Sequence, residues 1–165
     1  MEKYQSPFGY PDEHMRLLGI IAAHWEAVEL ILERAIAKIM SHDPSGLALL
    51  TANINFNNKL DVLTTHVRDA FKIQTDDDKL WSEYRGVQEA LKNAQKTRND
   101  FVHSKWTISK TTGNLGRHKL QTLGGKTKIL NVPVSTEELA AAARQITDAS
   151  TAMIRFLERN GVDLR

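Results

Sequence analysis

The stretch TRNDFVHSKW, Thr97 to Trp106, places Arg98, Asn99 and His103 close together where a helical pattern gives way to a strand-like one. An imidazole changes charge near neutral pH and so can take or give a proton. A guanidinium keeps its charge and presents a planar fork that holds anionic oxygens. An amide beside them can orient either group. The three together suit proton transfer next to an anion. A solvated helix terminus, with a histidine near the last carbonyls, is the plain alternative. Because an arginine five residues before a histidine arises readily by chance, the surrounding elements must decide its weight.

Those elements begin with the helix that must carry the motif. Leu80, Tyr84, Val87, Leu91 and Ala94 recur at three- and four-residue steps, which is a core-facing helical stripe. Thr75 is the expected N-cap, with Asp76, Asp77 and Asp78 complementing the positive helix end. Continuing the stripe past Ala94 lands on Arg98, and an inward arginine needs water, a carboxylate or a facing subunit. Asn99 and His103 share a face, whereas Arg98 and His103 lie about 140° apart around the axis. Both can address one target only through long side chains or a second copy.

Three further helical patterns surround it. One, over 12–41, carries Leu17, Ile21, Trp25, Val28, Leu32, Ala35 and Ile39, and Pro44 ends it. A second, over 45–73, holds Leu60, Leu63, Val67 and Phe71, and its asparagine-rich middle predicts a short helix followed by a longer one. The last, over 136–159, opens on Ser135 and Glu138 as a capping box and stops near Gly161. Between Trp106 and Val132 the period shortens and TGN and GGK punctuate it, so strands are expected there. The expected fold is mainly α: a bundle of four to five helices with a β-hairpin or small meander inserted before the last long helix. One domain spans 1–165, with an N-terminal arm over 1–11 and the β insertion over 106–132.

Composition narrows the chemistry. The absence of cysteine excludes disulfides, a thiol nucleophile and a thiolate zinc site. His14, His24, His42, His66, His103 and His118 are scattered without an i, i+3 or i, i+4 pair, which speaks against a histidine metal site. HExxH, the P-loop, GxSxG and GxGxxG are all missing, so no cofactor or metal is expected. No apolar run approaches bilayer length and no basic segment precedes an apolar one at the start, so a cytoplasmic protein is expected. The net charge of +2 is small, but its distribution is uneven. No acid lies between Asp100 and Glu137, whereas Lys105, Lys110, Arg117, Lys119, Lys126 and Lys128 all do. That one-signed insertion next to the Arg/His stretch suits a phosphate backbone.

RNDFVH at the end of a long helix resembles the R-x4-6-H motif of the HEPN superfamily, in which a polar residue, often asparagine, follows the arginine. FNNKLDVLTTHVRDAF and the helical register from Trp81 to Trp106 are also similar to bacterial members, and the likeness runs from about Asp12 to Arg159. The resemblance implies a helical bundle that homodimerises. It also implies metal-independent endoribonuclease activity in a toxin-antitoxin or other defence setting, an antitoxin protein as partner, and motifs from two subunits converging in one cleft. Arg98 and His103 then take catalytic positions and Asn99 the supporting polar one. Lys105 stands two residues after the histidine where some family toxins have a tyrosine, which argues against control by modification of that tyrosine.

RNA carries its own nucleophile, the 2′-hydroxyl beside the scissile phosphate. Cleavage needs one group to move protons and another to stabilise developing charge. His103 suits the first task and Arg98 the second, with Lys105, Arg117, Lys119, Lys126 and Lys128 as phosphate contacts. The alternatives are a catalytically silent HEPN-like nucleic-acid or nucleotide binder, and a structural helical module in which Arg98 bridges a dimer.

Overall fold

The computed structural model describes residues 9–40, 54–76, 78–109, 114–123 and 126–164, with backbone alone between 119 and 128. Four helices, α1 (Asp12–Ile39), α2 (Phe56–Ala70), α3 (Lys79–Val102) and α4 (Thr136–Arg159), enclose one hydrophobic core. Three strands, β1 (Lys105–Ile108), β2 (Leu115–Leu123) and β3 (Lys126–Pro133), form an antiparallel meander between α3 and α4. This is the mainly helical fold with a small sheet before the last long helix that the hydrophobic periods predict. No described helix is long and apolar enough to cross a membrane.

The stripes explain the packing. Helix α1 turns Leu17, Ile21, Trp25, Val28, Leu32 and Ala35 inward and touches all three other helices. Helix α4 lays Leu139, Ala142, Ile146, Ala149, Met153 and Phe156 against α1 and α3. Trp25 packs on Phe56 with ring centroids 4.8 Å apart, and Tyr84 on Phe156 at 5.5 Å. Burial of side chains of this size contributes roughly 1.5–3 kcal/mol each, which is why the apolar phase of every helix is filled.

Polar contacts fix the ends and one seam. Ser135 and Glu138 make both hydrogen bonds of the expected capping box, and Gly161, at φ 81°, ends α4 in a Schellman motif with Val162 N–H donating to the Leu157 carbonyl at 2.9 Å. The asparagine-rich break resolves into a cap: Asn55 accepts from Asn58 N–H at 3.0 Å and starts α2. The expected short helix before it lies outside the described residues, as do Pro44 and the reading of 41–53. Asp78, not Thr75, caps α3, accepting from Leu80 N–H at 2.7 Å. Asp76 instead pairs with Arg68 at 2.5 Å, so α3 begins at Lys79 rather than near 76. Lys59, only 4% exposed, crosses from α2 to Glu33 at 2.6 Å and Glu29 at 3.2 Å on α1. Glu29 also accepts from the Trp25 indole N–H at 2.8 Å.

Candidate functional site

Helix α3 delivers the motif and the sheet builds a wall beside it. The helix ends at Val102, and His103 follows as its C-cap with φ −97° and ψ 5°; its backbone N–H still donates to the Asn99 carbonyl at 3.2 Å. This departure from helical geometry, combined with the length of an arginine, closes the 140° gap. Arg98 Nη1 lies 2.6 Å from His103 Nε2 and 3.0 Å from Asn99 Oδ1. The three residues singled out by type and spacing therefore meet within a single chain, without a second copy.

Arg98 takes an unusual set of partners for a half-buried arginine. Its guanidinium carbon lies 5.9 Å from the Trp25 ring centroid, on the edge of the core. Its Nε is buried and has no hydrogen-bond partner, and among the described residues no carboxylate forms an ion pair with it. The inward phase thus brings Arg98 to an aromatic face, an amide oxygen and an imidazole, all uncharged acceptors or neighbours. A buried-edge cation without a counter-charge favours an anion arriving from outside.

The hydrogen bond also assigns the imidazole. A guanidinium has only donors, so the nitrogen facing Nη1 must present its lone pair. Nε2 is therefore unprotonated in this arrangement and Nδ1 carries the hydrogen. A histidine held that way is set to accept a proton.

The last turn of α3 is tied to the sheet by side chains that satisfy its free carbonyls. Arg117 on β2 donates to the Asp100 carbonyl at 3.0 Å and stacks its guanidinium 4.8 Å over the Phe101 ring. Trp106 on β1 lies on Phe101 with centroids 6.4 Å apart and donates its indole N–H to the Phe101 carbonyl at 3.2 Å. The Ser104 hydroxyl donates to the Asp100 carbonyl as well. Cations and donors at a helix C-terminus oppose its negative end, so these contacts hold the helix end where β1 begins.

A cleft of about 370 Å³ opens between this helix end and the sheet, lined by Asn99, His103, Lys105, Arg117, His118 and Ile129 among others. Antiparallel pairing places Lys105 opposite His118, and both are exposed. Of the expected phosphate contacts, Lys105 lines the cleft with a free reach into solvent, while Arg117 lines it with its fork already committed to Asp100 and Phe101. Lys119, Lys128 and Lys126 are placed by backbone register alone, opposite Leu130, Gln121 and Leu123, on the stretch of the β2–β3 hairpin that runs beyond β1. Lys110 lies outside the described residues.

The placement of His118 in this cleft was not evident from spacing. Only the β1–β2 register, which sets Lys105 against His118, brings the second imidazole to the helix end. Two other described histidines serve elsewhere. His24 shares a hydrogen bond with Thr147 at 2.8 Å between α1 and α4, and His14 meets the Val134 carbonyl at 3.0 Å. Among the described residues no three of His, Asp and Glu converge as a metal site.

No family model, no curated protein and no solved structure matches this chain.

Proposed function

We propose that the protein is a HEPN-like, metal-independent endoribonuclease, acting as a toxin or defence effector and working as a homodimer. The observation that carries this reading is the Arg98–His103 contact: an arginine without a counter-charge is hydrogen-bonded to an imidazole nitrogen that must be unprotonated, and that imidazole lines a cleft together with Lys105.

The steps follow from the groups present. A phosphodiester entering the cleft supplies the missing counter-charge, and Arg98 turns its fork from the imidazole to the phosphate oxygens. His103 Nε2, released, takes the proton of the 2′-hydroxyl. The 2′-oxygen attacks phosphorus, the bond to the 5′-oxygen breaks, and Arg98 holds the charge that gathers on the equatorial oxygens. Asn99 supports both partners: its carbonyl holds His103 and its amide oxygen holds Arg98. The products are a 2′,3′-cyclic phosphate and a 5′-hydroxyl. Lys105 and the lysines of the hairpin bind flanking phosphates without touching the reacting bond.

The reading is tested by incubating purified protein, freed of any bound partner, with mixed RNA in EDTA. Cleavage that yields cyclic phosphate ends and is lost in His103→Ala supports it. Intact RNA under every condition defeats it and leaves the silent nucleic-acid binder, which a binding assay on the same RNA would reveal.

A further inference from the structure

The proposed reaction leaves one proton unassigned. An alkoxide is a poor leaving group, so the 5′-oxygen must receive a proton as its bond to phosphorus breaks, and a group already holding a hydrogen must stand on the far side of the phosphate from the base. His103 cannot serve both ends of one in-line displacement. Its Nε2 faces Arg98 and is committed as the acceptor.

We propose that His118 is the general acid of this cleft, an inference that rests on the ribonuclease reading above. His118 lines the same cleft as His103, and from a different element: His103 caps the helix, and His118 belongs to the middle strand of the sheet. Side chains alternate along a strand, so His118 stands on the face of Lys105 and Asn131, its partners across β1 and β3, while Arg117 starts from the other face and lines the cleft with its guanidinium held over Phe101. The chain path bounds the separation. Two residues of extended chain lead from His103 to Lys105, about 7 Å at most. One cross-strand step of about 5 Å then reaches His118. Two imidazoles on such a base can address opposite sides of a single phosphodiester.

The other polar groups of the cleft are less suited to the task. The Ser104 hydroxyl already donates to the Asp100 carbonyl, and the Asp100 carboxylate lies 4.0 Å from Arg117. Arg117 is fixed by its ring and carbonyl contacts, and a guanidinium does not release a proton. A lysine ammonium such as that of Lys105 holds phosphate better than it gives up hydrogen near neutral pH. An exposed imidazole exchanges protons with water readily, which resets it after each turnover. In the step itself, His103 gains the 2′-hydroxyl proton and His118 loses one to the 5′-oxygen; bulk water then restores both.

The test separates an acid from a binding group by changing the leaving group. His118→Ala and His118→Gln are compared with wild type on an RNA oligonucleotide and on a uridine 3′-(4-nitrophenyl phosphate), whose nitrophenolate departs without a proton. We expect both variants to lose about a hundredfold or more on RNA and to keep nearly the wild-type rate on the aryl ester. His103→Ala should lose on both, because the 2′-hydroxyl proton must be removed in either case. Equal losses of the His118 variants on both substrates, or unchanged cleavage of RNA, would overturn the assignment. Failure of the wild-type protein to cleave either substrate would instead sink the ribonuclease reading on which it rests. Circular dichroism of the variants checks that His118, an exposed strand residue, is not needed for folding.

Discussion

Arg98 and His103 stand five residues apart on α3 and its cap, yet Nη1 of one lies 2.6 Å from Nε2 of the other. The contact holds Nε2 as an acceptor, so the resting protein should carry His103 as the Nδ1–H tautomer. Imidazole nitrogen shifts in the magnetic resonance spectrum report this directly. In Arg98→Ala the constraint is gone, and the ordinary mixture favouring Nε2–H should return. The same variant should lower RNA cleavage by about a hundredfold or more, the scale of losing a charge clamp. Folding should change little, because Arg98 adds a cation–π contact with Trp25 worth ~0.5–1 kcal/mol and exposed hydrogen bonds confined to its own helix end, and no ion pair among the described residues. Arg98→Lys should not rescue activity, since a single ammonium cannot reproduce the planar fork.

Lys59 should behave oppositely, as a residue of stability without a part in cleavage. It is buried between Glu29 and Glu33, and removing it leaves two carboxylates facing each other across the α1–α2 seam. Losing one partner of a fully buried ion pair costs about 3–5 kcal/mol. Here the glutamates keep 30% and 22% of their side-chain surface in water, so Lys59→Met should cost roughly 2 kcal/mol, below that scale. Adding Glu33→Gln to Lys59→Met should recover part of the loss in urea denaturation. A Lys59→Met protein as stable as wild type would show that the network contributes nothing net.

Alkaline pH should unfold the protein through its core. Burial pushes the Tyr84 hydroxyl up to about 12, against the opposing effect of its hydrogen bond with Thr64. Desolvation lowers the Lys59 ammonium, but hydrogen bonds to Glu33 and Glu29 outweigh it and the net direction is up. A raised folded value means that the protonated form is the one the fold prefers. Its contribution is complete below the unfolded value, near 10 for tyrosine, and drains away as pH rises through the folded one. For Tyr84 the two-unit gap amounts to about 2–3 kcal/mol. Stability should therefore hold to about pH 10 and fall toward pH 12, and Tyr84→Phe should flatten that fall. A denaturation series across this range checks it.

How much of this was legible in the sequence differs by residue. The helical stripes were, because burial of Leu17, Ile21 and Trp25 or of Leu139, Ala142 and Ile146 follows directly from the 3.6-residue period. So were the Ser135–Glu138 box and the Gly161 stop, whose partners lie within one turn. The start of α3 was not: Thr75 to Asp78 offers several caps in a row, and the choice of Asp78 goes with the withdrawal of Asp76 by Arg68, a partner eight residues away. The burial of Lys59 depends on which α1 residues face α2, information that no local pattern holds. The site was legible by residue type and not by geometry. Arg98 meets His103 through the length of its side chain at the point where the helix ends at Val102, and His118 comes to the same cleft through strand register.

RNA binding should depend on salt in proportion to the lysines that contact phosphate. Each contact with a single strand releases condensed counterions and contributes about 0.7 to the slope of log affinity against log salt. Lys105 lines the cleft, while Lys119 and Lys126 lie on the hairpin beyond β1. Lys119→Glu and Lys126→Glu should each weaken binding and flatten that slope by about one contact, most visibly at low ionic strength. Turnover at saturating RNA should stay close to wild type, because these groups lie outside the reacting centre and hold substrate and transition state alike. Lys105→Glu should differ: its negative charge would sit on the cross-strand neighbour of His118, inside the cleft, so both affinity and turnover should fall. If the hairpin reversals left affinity and slope unchanged, the basic strands would be a solvated face, and the nucleic acid would be held by the cleft alone.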